Sequence, residues 1–127
     1  MAHFPEGALS GYAGTDFESF ASFDWDRLHE AIDEVLGHAR RLKLWVVLGS
    51  AHRLSGPHKP HNSLYVISDE GRVVERYDKR FCSVTPDGGT GDLAHYSPGD
   101  HPSVWAIDVV PLAGTGAIPS SGQRPPV

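Results

Sequence analysis

A short apolar segment, LWVVLGS at residues 44–50, constrains the fold of this chain more than any other feature. Its residues are apolar or β-branched and lack the alternation of a half-exposed strand, which is typical of a strand buried on both faces. Such a strand lies in the interior of a sheet, and other elements must cover it. The chain is therefore expected to form a layered α/β or α+β domain around it.

The segment before this strand predicts an amphipathic helix. Apolar residues recur at helical spacing from Trp25 to Leu42. Asp24 is placed to cap the amino end, and the basic residues Arg40 and Lys43 suit the negative carboxyl end of the helix dipole. We expect a helix that begins just after Asp24 and ends near Leu42.

Further elements follow the strand. NSLYVIS and RVVERY flank a turn that contains Gly71, which can adopt the positive φ that hairpin turns require, so a β-hairpin is predicted. The stretch at 85–100, TPDGGTGDLAHYSPGD, predicts a long loop, and SVWAIDVV at 103–110 predicts another strand. Residues 111–127 contain four prolines and three glycines, which predicts a disordered, low-complexity tail after a domain at 1–110.

Composition argues against two classes of partner. The 127 residues carry a net charge of -5 with acids and bases interspersed, so no basic stripe is available for nucleic acid. The longest apolar run is too short to span a bilayer, so no membrane partner is expected. Cys82 is the sole cysteine, which precludes an internal disulfide. These features predict one cytosolic domain.

Eight histidines raise the question of a metal site. His52, His58 and His61 lie near one predicted loop, and His95 and His101 lie in another. No pair has the i, i+4 helical spacing or the cysteine-rich pattern of known zinc sites. The sequence therefore predicts no metal site, and nothing in it indicates a cofactor.

Four segments, taken in order, resemble the nitrilase or carbon-nitrogen hydrolase superfamily. They are FPEGALSGY, WVVLGS, HNSLYVISDEGRVVERYDKRF, and YSPGD before SVWAID, and together they extend from about residue 4 to residue 108. The resemblance implies a partial α-β-β-α sandwich that lacks the first strand and helix and the nucleophile strand. It also implies a hydrolase that cleaves a carbon–nitrogen bond of a small amide or nitrile without a cofactor, and it leaves homo-oligomer formation open.

Two residues within these segments are candidates for chemistry. On the residues alone, Glu6 between Pro5 and Gly7 is most simply a solvated turn glutamate, and Lys79 at a strand end is most simply an edge charge. The resemblance implies instead that Glu6 is the general base and that Lys79 stabilises the tetrahedral intermediate. If so, the two side chains should meet at one end of the sheet, within about 4 to 6 Å.

Asp92 is a third, accessory candidate. The family often has a second glutamate a few residues before the Pro-Gly of the YSPGD region, and Asp92 stands seven residues before Gly99. Its side chain is one methylene shorter than that of glutamate, so the resemblance leaves its role open.

The resemblance fails at the nucleophile. The family places a cysteine shortly after the strand that SVWAID resembles, but no cysteine follows residue 82. The low-complexity sequence at residues 111–127 suggests truncation or a shifted reading frame. Cys82 lies three positions after Lys79, and in an extended strand the two side chains would point to opposite faces, so Cys82 is predicted to be non-catalytic.

Two functions therefore stay open. The chain is either a carbon-nitrogen hydrolase of the Glu/Lys/Cys acyl-enzyme type in a form that lacks the cysteine, or a non-catalytic fragment or interaction module that retains only the middle of the fold.

Overall fold

The computed structural model describes residues 1–87 and 91–107. Within them the chain forms one four-stranded sheet in the order β1-β2-β3-β4. The strands are β1 (Ala2–His3), β2 (Val46–His52), β3 (His61–Ile67) and β4 (Val73–Asp78), and the helices are α1 (Trp25–Leu42) and α2 (Asp92–His95), with a 3-10 turn at Phe20–Ser22. β1 runs parallel to β2, whereas β2, β3 and β4 are successively antiparallel. The predicted mixed α/β class is confirmed.

Helix α1 has the predicted limits. Asp24 caps its amino end, since the side chain accepts a hydrogen bond from the Arg27 N–H at 3.0 Å. At the carboxyl end Lys43 adopts a left-handed conformation with φ 52°, which turns the chain directly into β2. The buried Ala39 of α1 packs against Leu48 of β2 and Ile67 of β3.

Strand β2 occupies the interior position that its apolar run predicts. It lies between β1 and β3, and residues 46–51 are all buried. Helix α1 covers one face of the sheet. A second cluster joins Ala51 of β2 to Ala13 and Tyr96, with Phe20 and Trp25 packed around it. Both faces of β2 are therefore covered, as its sequence requires.

The hairpin of β3 and β4 is also confirmed. Gly71 has a φ of 78° in the turn, where a non-glycine residue would be strained. A Cβ atom at this position would lie 2.5 Å from the carbonyl oxygen of Leu36. The turn thus packs directly on α1, and glycine is needed for contact as well as for conformation.

Two predicted segments differ from the structure. Residues 103–107 form no strand, and beside β4 the Ser103 hydroxyl donates a hydrogen bond to the Arg76 carbonyl at 3.1 Å. The predicted loop at 85–100 contains α2, which begins at the buried Asp92. The rest of the predicted strand, 108–110, and the predicted tail, 111–127, lie outside the described residues. No helix within 1–87 and 91–107 has the length and apolar character needed to cross a bilayer.

Candidate active site

Glu6 is held by a close approach between the chain after β1 and the middle of β2. A Cβ atom at Gly49 would lie 2.1 Å from the Pro5 carbonyl oxygen and 2.9 Å from the Glu6 Cα atom, so only glycine leaves room for this bend. Gly7 follows with a φ of 67°. The Pro-Glu-Gly turn therefore carries Glu6 across the sheet end, where its side chain is about half exposed.

Lys79 follows directly after β4 and is fixed through its backbone. Its N–H donates to the Asn62 carbonyl of β3 at 2.8 Å, and its own carbonyl accepts from the Gly99 N–H at 2.9 Å. Lys79 Nζ lies 2.9 Å from Glu6 Oε1. The two side chains thus meet as expected, in a direct contact that is shorter than the predicted separation.

Asp92 completes the arrangement from α2. Its Oδ2 atom lies 2.8 Å from Lys79 Nζ and accepts a hydrogen bond from the Ser83 N–H at 3.0 Å. Its Oδ1 atom accepts a hydrogen bond from the Tyr12 hydroxyl. The residue is only 2% exposed. Aspartate is shorter than the glutamate that the resemblance implies, but Asp92 still reaches Lys79 because Gly91, with φ 87°, lets the backbone of α2 approach Ser83 closely.

The Tyr12 hydroxyl is positioned by an aromatic cluster beside the site. The Tyr12 and Tyr96 rings lie 5.5 Å apart, and the buried Tyr96 hydroxyl accepts from the Ala13 N–H at 3.0 Å. Phe20 contacts the Tyr96 ring edge-on at 5.4 Å. This packing orders the loop that carries Tyr12, so the hydroxyl is held against the Asp92 carboxylate.

The ammonium group of Lys79 retains a donor for chemistry. A lysine ammonium has three N–H donors, of which one points at Glu6 and one at Asp92. The remaining donor can face an oxygen that gains negative charge. An adjacent cleft of about 380 Å³ is lined by Glu6 and Lys79 together with Asn62, Leu64 and Tyr77. This cleft can hold a molecule the size of a small amide.

The Cys82 side chain contacts the backbone of Lys79, not its ammonium group. β4 ends at Asp78, so residues 79–82 do not belong to a strand. The prediction that the Lys79 and Cys82 side chains point to opposite faces assumed an extended strand there and does not apply. Cys82 Sγ instead donates to the Lys79 carbonyl at 3.6 Å. Burial raises the pKa of the Cys82 thiol above its ordinary value.

Two of the histidines belong to a separate polar network on the sheet face that α1 covers. Arg76 donates to His52 Nε2 at 2.6 Å, so the opposite ring nitrogen, Nδ1, carries the proton that meets the Tyr65 hydroxyl at 2.7 Å. Arg76 also pairs with Asp78 at 2.9 Å. Burial, with Arg76 adding to it, lowers the pKa of His52, and burial raises the pKa of Tyr65 to about 12. His61 lies 3.7 Å from Asp78.

No metal centre is evident where the chain is described. Over residues 1–87 and 91–107, no three side chains among the histidines, Cys82 and the carboxylates converge in a group that could hold an ion. His52 and His61 instead bond to protein groups. His61 Nδ1, for example, lies 2.8 Å from the Ser97 carbonyl oxygen.

Sequence reasoning did not single out Tyr12, Asn62 or Ser83 as site residues. Asn62 donates to Glu6 Oε1 at 2.5 Å, and the other two donate to Asp92. Tyr12 and Asn62 both lie within segments that carry the family resemblance, FPEGALSGY and HNSLYVIS, so that resemblance offered a signal for them. Ser83 contributes a backbone N–H, for which the sequence holds no signal.

Comparison with solved structures supports the fold. The NitN amidase from Nesterenkonia sp. AN1 matches with a TM-score of 0.61 and 20% identity, over 88% of this chain and 39% of the amidase chain. A Glu-to-Gln mutant of the amidase from that organism, with the acetamide moiety of fluoroacetamide added covalently at the active-site cysteine, matches with a TM-score of 0.61 and 19% identity. A Glu-to-Gln, Cys-to-Ala double mutant in complex with acrylamide matches with a TM-score of 0.60 and 19% identity. The last two matches each cover 81% of this chain and 36% of the amidase.

This chain thus spans little more than a third of the length of these amidases, and at such identities the likeness concerns the fold. No curated protein sequence matches it. The sequence profile of the carbon-nitrogen hydrolases, however, matches residues 1–116. Since that match takes in every strand and helix described above, the chain belongs to the carbon-nitrogen hydrolase family.

Proposed function

We propose that Glu6, Lys79 and Asp92 are the acid–base and electrostatic part of a site that hydrolyses a small amide or nitrile through a thiol acyl-enzyme. The observation that carries this proposal is the Lys79 ammonium held between two carboxylates, 2.9 Å from Glu6 and 2.8 Å from Asp92, beside a cleft of about 380 Å³. The amidases of the same fold that bind acrylamide or carry an acetamide moiety on cysteine support an amide as the substrate class.

For an amide the steps follow from these contacts. Glu6 takes the proton of a cysteine thiol, and the thiolate forms a C–S bond to the amide carbon while the carbonyl oxygen becomes an oxyanion. The free N–H of Lys79 stabilises that oxyanion. The C–N bond then breaks, and Glu6 returns its proton to the departing nitrogen. Glu6 then takes a proton from water, whose oxygen forms a C–O bond to the thioester carbon; the C–S bond breaks, the acid is released, and Glu6 returns the proton to the cysteine thiolate.

Asp92 has a different role from Glu6 in this proposal. Both of its oxygens already accept hydrogen bonds, Oδ1 from Tyr12 and Oδ2 from Lys79 and Ser83. It is also almost fully buried, whereas Glu6 is about half exposed to the cleft. Asp92 therefore positions Lys79, and Glu6 is the group that exchanges a proton.

The nucleophile is the part that this chain does not supply. Cys82 is its sole cysteine, its thiol donates to the Lys79 carbonyl, and burial raises the pKa of that thiol. This observation favours the second candidate function for the 127-residue chain itself, a non-catalytic form that keeps the middle of the fold. Homo-oligomer formation and a cytosolic location stay predictions.

The test compares two proteins in an ammonia-release assay with acetamide and butyramide, with intact-mass detection of acyl adducts. We expect no release and no adduct from the 127-residue chain. A version extended at both ends, with a cysteine-bearing strand joined after Asp108, is expected to show a burst of adduct that Glu6→Gln or Lys79→Ala abolishes. Cys82→Ser is the matched control and should leave that burst intact.

The opposite pattern would contradict the proposal. If the extended version with a correctly folded cysteine strand formed no adduct, the assignment of Glu6 and Lys79 would be wrong. If the 127-residue chain released ammonia and Cys82→Ser abolished the release, Cys82 would be the nucleophile. The nucleotide sequence after the Asp108 codon gives a further check: if another frame there encodes an apolar strand that ends in cysteine, the hydrolase function describes the gene.

A further inference from the structure

We infer that Asn62 is a positioning residue that fixes which oxygen of Glu6 accepts the proton. Asn62 Nδ2 donates to Glu6 Oε1 at 2.5 Å, and Lys79 Nζ donates to the same oxygen at 2.9 Å. Among the described residues, no donor makes a hydrogen bond to Oε2. Oε1 is therefore tied down by two donors, and Oε2 is the oxygen left to take a proton from a thiol.

The donor side chain sits on a rigid support. Asn62 is 5% exposed and lies in β3, paired with Ala51 of β2. Its carbonyl accepts the Lys79 N–H at 2.8 Å, so Asn62 contacts Lys79 through its backbone and Glu6 through its side chain. A single strand residue thus sets the positions of both charged groups relative to each other.

The charges of Glu6 and Lys79 explain why an uncharged side-chain amide, that of Asn62, suits this position. The Asn62 side chain donates without adding charge, whereas a second cation there would further stabilise the carboxylate and weaken it as a base. Because two donors hold Oε1, the Glu6 carboxylate cannot rotate freely about its terminal bond. The inference rests on the proposed function for the role of Glu6 as base, but the hydrogen bond itself can be tested without turnover.

The test uses NMR on the isotope-labelled 127-residue chain. In the wild-type protein the side-chain amide protons of Asn62 should resonate downfield, exchange slowly, and change together with the Glu6 carboxyl carbon signal as the pH is lowered. Glu6→Ala should shift them upfield and speed their exchange by about tenfold or more, as expected for loss of a hydrogen bond to a charged group. Asn62→Ala should move the Glu6 carboxyl carbon signal at neutral pH.

Tyr77→Phe is the matched control. Tyr77 lines the same cleft, and no hydrogen bond from it to Glu6 or Asn62 is present, so this variant should leave the Asn62 and Glu6 signals unchanged. The wild-type pH series needs no variant, so the inference can be decided even if Asn62→Ala does not fold.

Asn62 amide protons that respond neither to pH nor to Glu6→Ala would overturn the inference, even if the cysteine-bearing version releases ammonia. A failure of the cysteine-bearing version to form an adduct would instead overturn the proposed function, because the NMR signals do not depend on turnover.

Discussion

Asp92 and Lys79 form an ion pair whose two partners differ sharply in exposure. Their charged atoms lie 2.8 Å apart, yet the Asp92 side chain is 3% exposed and that of Lys79 is 33% exposed. The pair thus connects the interior beneath α2 to the open cleft. The buried carboxylate depends on its donors, and among those in the described part of the chain only Lys79 carries a charge.

Replacement of Lys79 should therefore cost more stability than replacement of Glu6. Lys79→Ala leaves the buried Asp92 carboxylate without its counter-charge, and we expect the free energy of unfolding to fall by about 2 to 4 kcal/mol. Glu6→Gln alters a pair that is largely open to solvent and should cost less than about 1 kcal/mol. Urea unfolding of both variants measures the difference. Equal losses would show that Asp92 is not dependent on Lys79.

Gly49→Ala should destabilise the chain because a Cβ atom at this position collides with the Pro5 carbonyl oxygen. Overpacking of this kind typically costs about 1 to 3 kcal/mol, and the backbone shift should move Glu6 away from Lys79. Gly37→Ala is the control, since its added Cβ meets nothing within 4 Å, and it should stabilise α1 by about 0.5 to 1 kcal/mol. Opposite signs in thermal unfolding are expected, and a neutral Gly49→Ala would argue against the close approach.

His52 should make stability depend on pH. Its pKa in the folded chain lies below the ordinary 6.5, because of burial and the neighbouring Arg76. The unfolded chain then binds more protons just below pH 6.5, so the stabilisation from neutral His52 is complete above that pH and is lost as the pH falls toward the folded-state pKa. Burial alone would raise the pKa of Asp78, but hydrogen bonds from Ser63 and Arg76 outweigh it and hold that pKa below 3.8. Asp78 therefore affects the pH dependence of stability only at lower pH.

The check is a series of urea midpoints between about pH 8 and pH 5 for the wild type and His52→Gln. The wild type should lose more stability over this range than the variant, because only the wild type has to protonate His52 on unfolding. Parallel curves would show that His52 does not contribute to the pH dependence.

Cys82 should react slowly with thiol reagents in the folded chain. Burial raises its pKa, and the thiolate is the reactive form, so alkylation by iodoacetamide near pH 7.5 should be well below the rate for the chain unfolded in urea. The rate follows from the mass shift of the intact chain over time. A folded-state rate at or above the unfolded rate would mean that the thiol is activated, and it would reopen a catalytic role for Cys82.

The sequence by itself determined the elements that depend on local pattern. Helix α1 follows from its apolar spacing and the Asp24 cap. The interior position of β2 follows from an apolar run with no polar face, and the hairpin follows from Gly71. Family resemblance marked Glu6, Lys79 and Asp92. Local pattern failed at residues 103–107, where apolar residues suggested a strand, because a strand also needs a partner with free backbone groups at the right distance.

Only the tertiary structure decided how the site is assembled. Glu6 and Lys79 are 73 positions apart, and their contact depends on the register of β3 with β4 and on the absence of a side chain at Gly49. Asp92 reaches Lys79 from α2, and the sequence did not predict α2 because the glycines and prolines of that stretch are typical of a loop. Hydrogen bonds between distant segments require an alignment of a few tenths of an ångström, and that alignment arises from packing of the whole sheet rather than from the properties of any one segment.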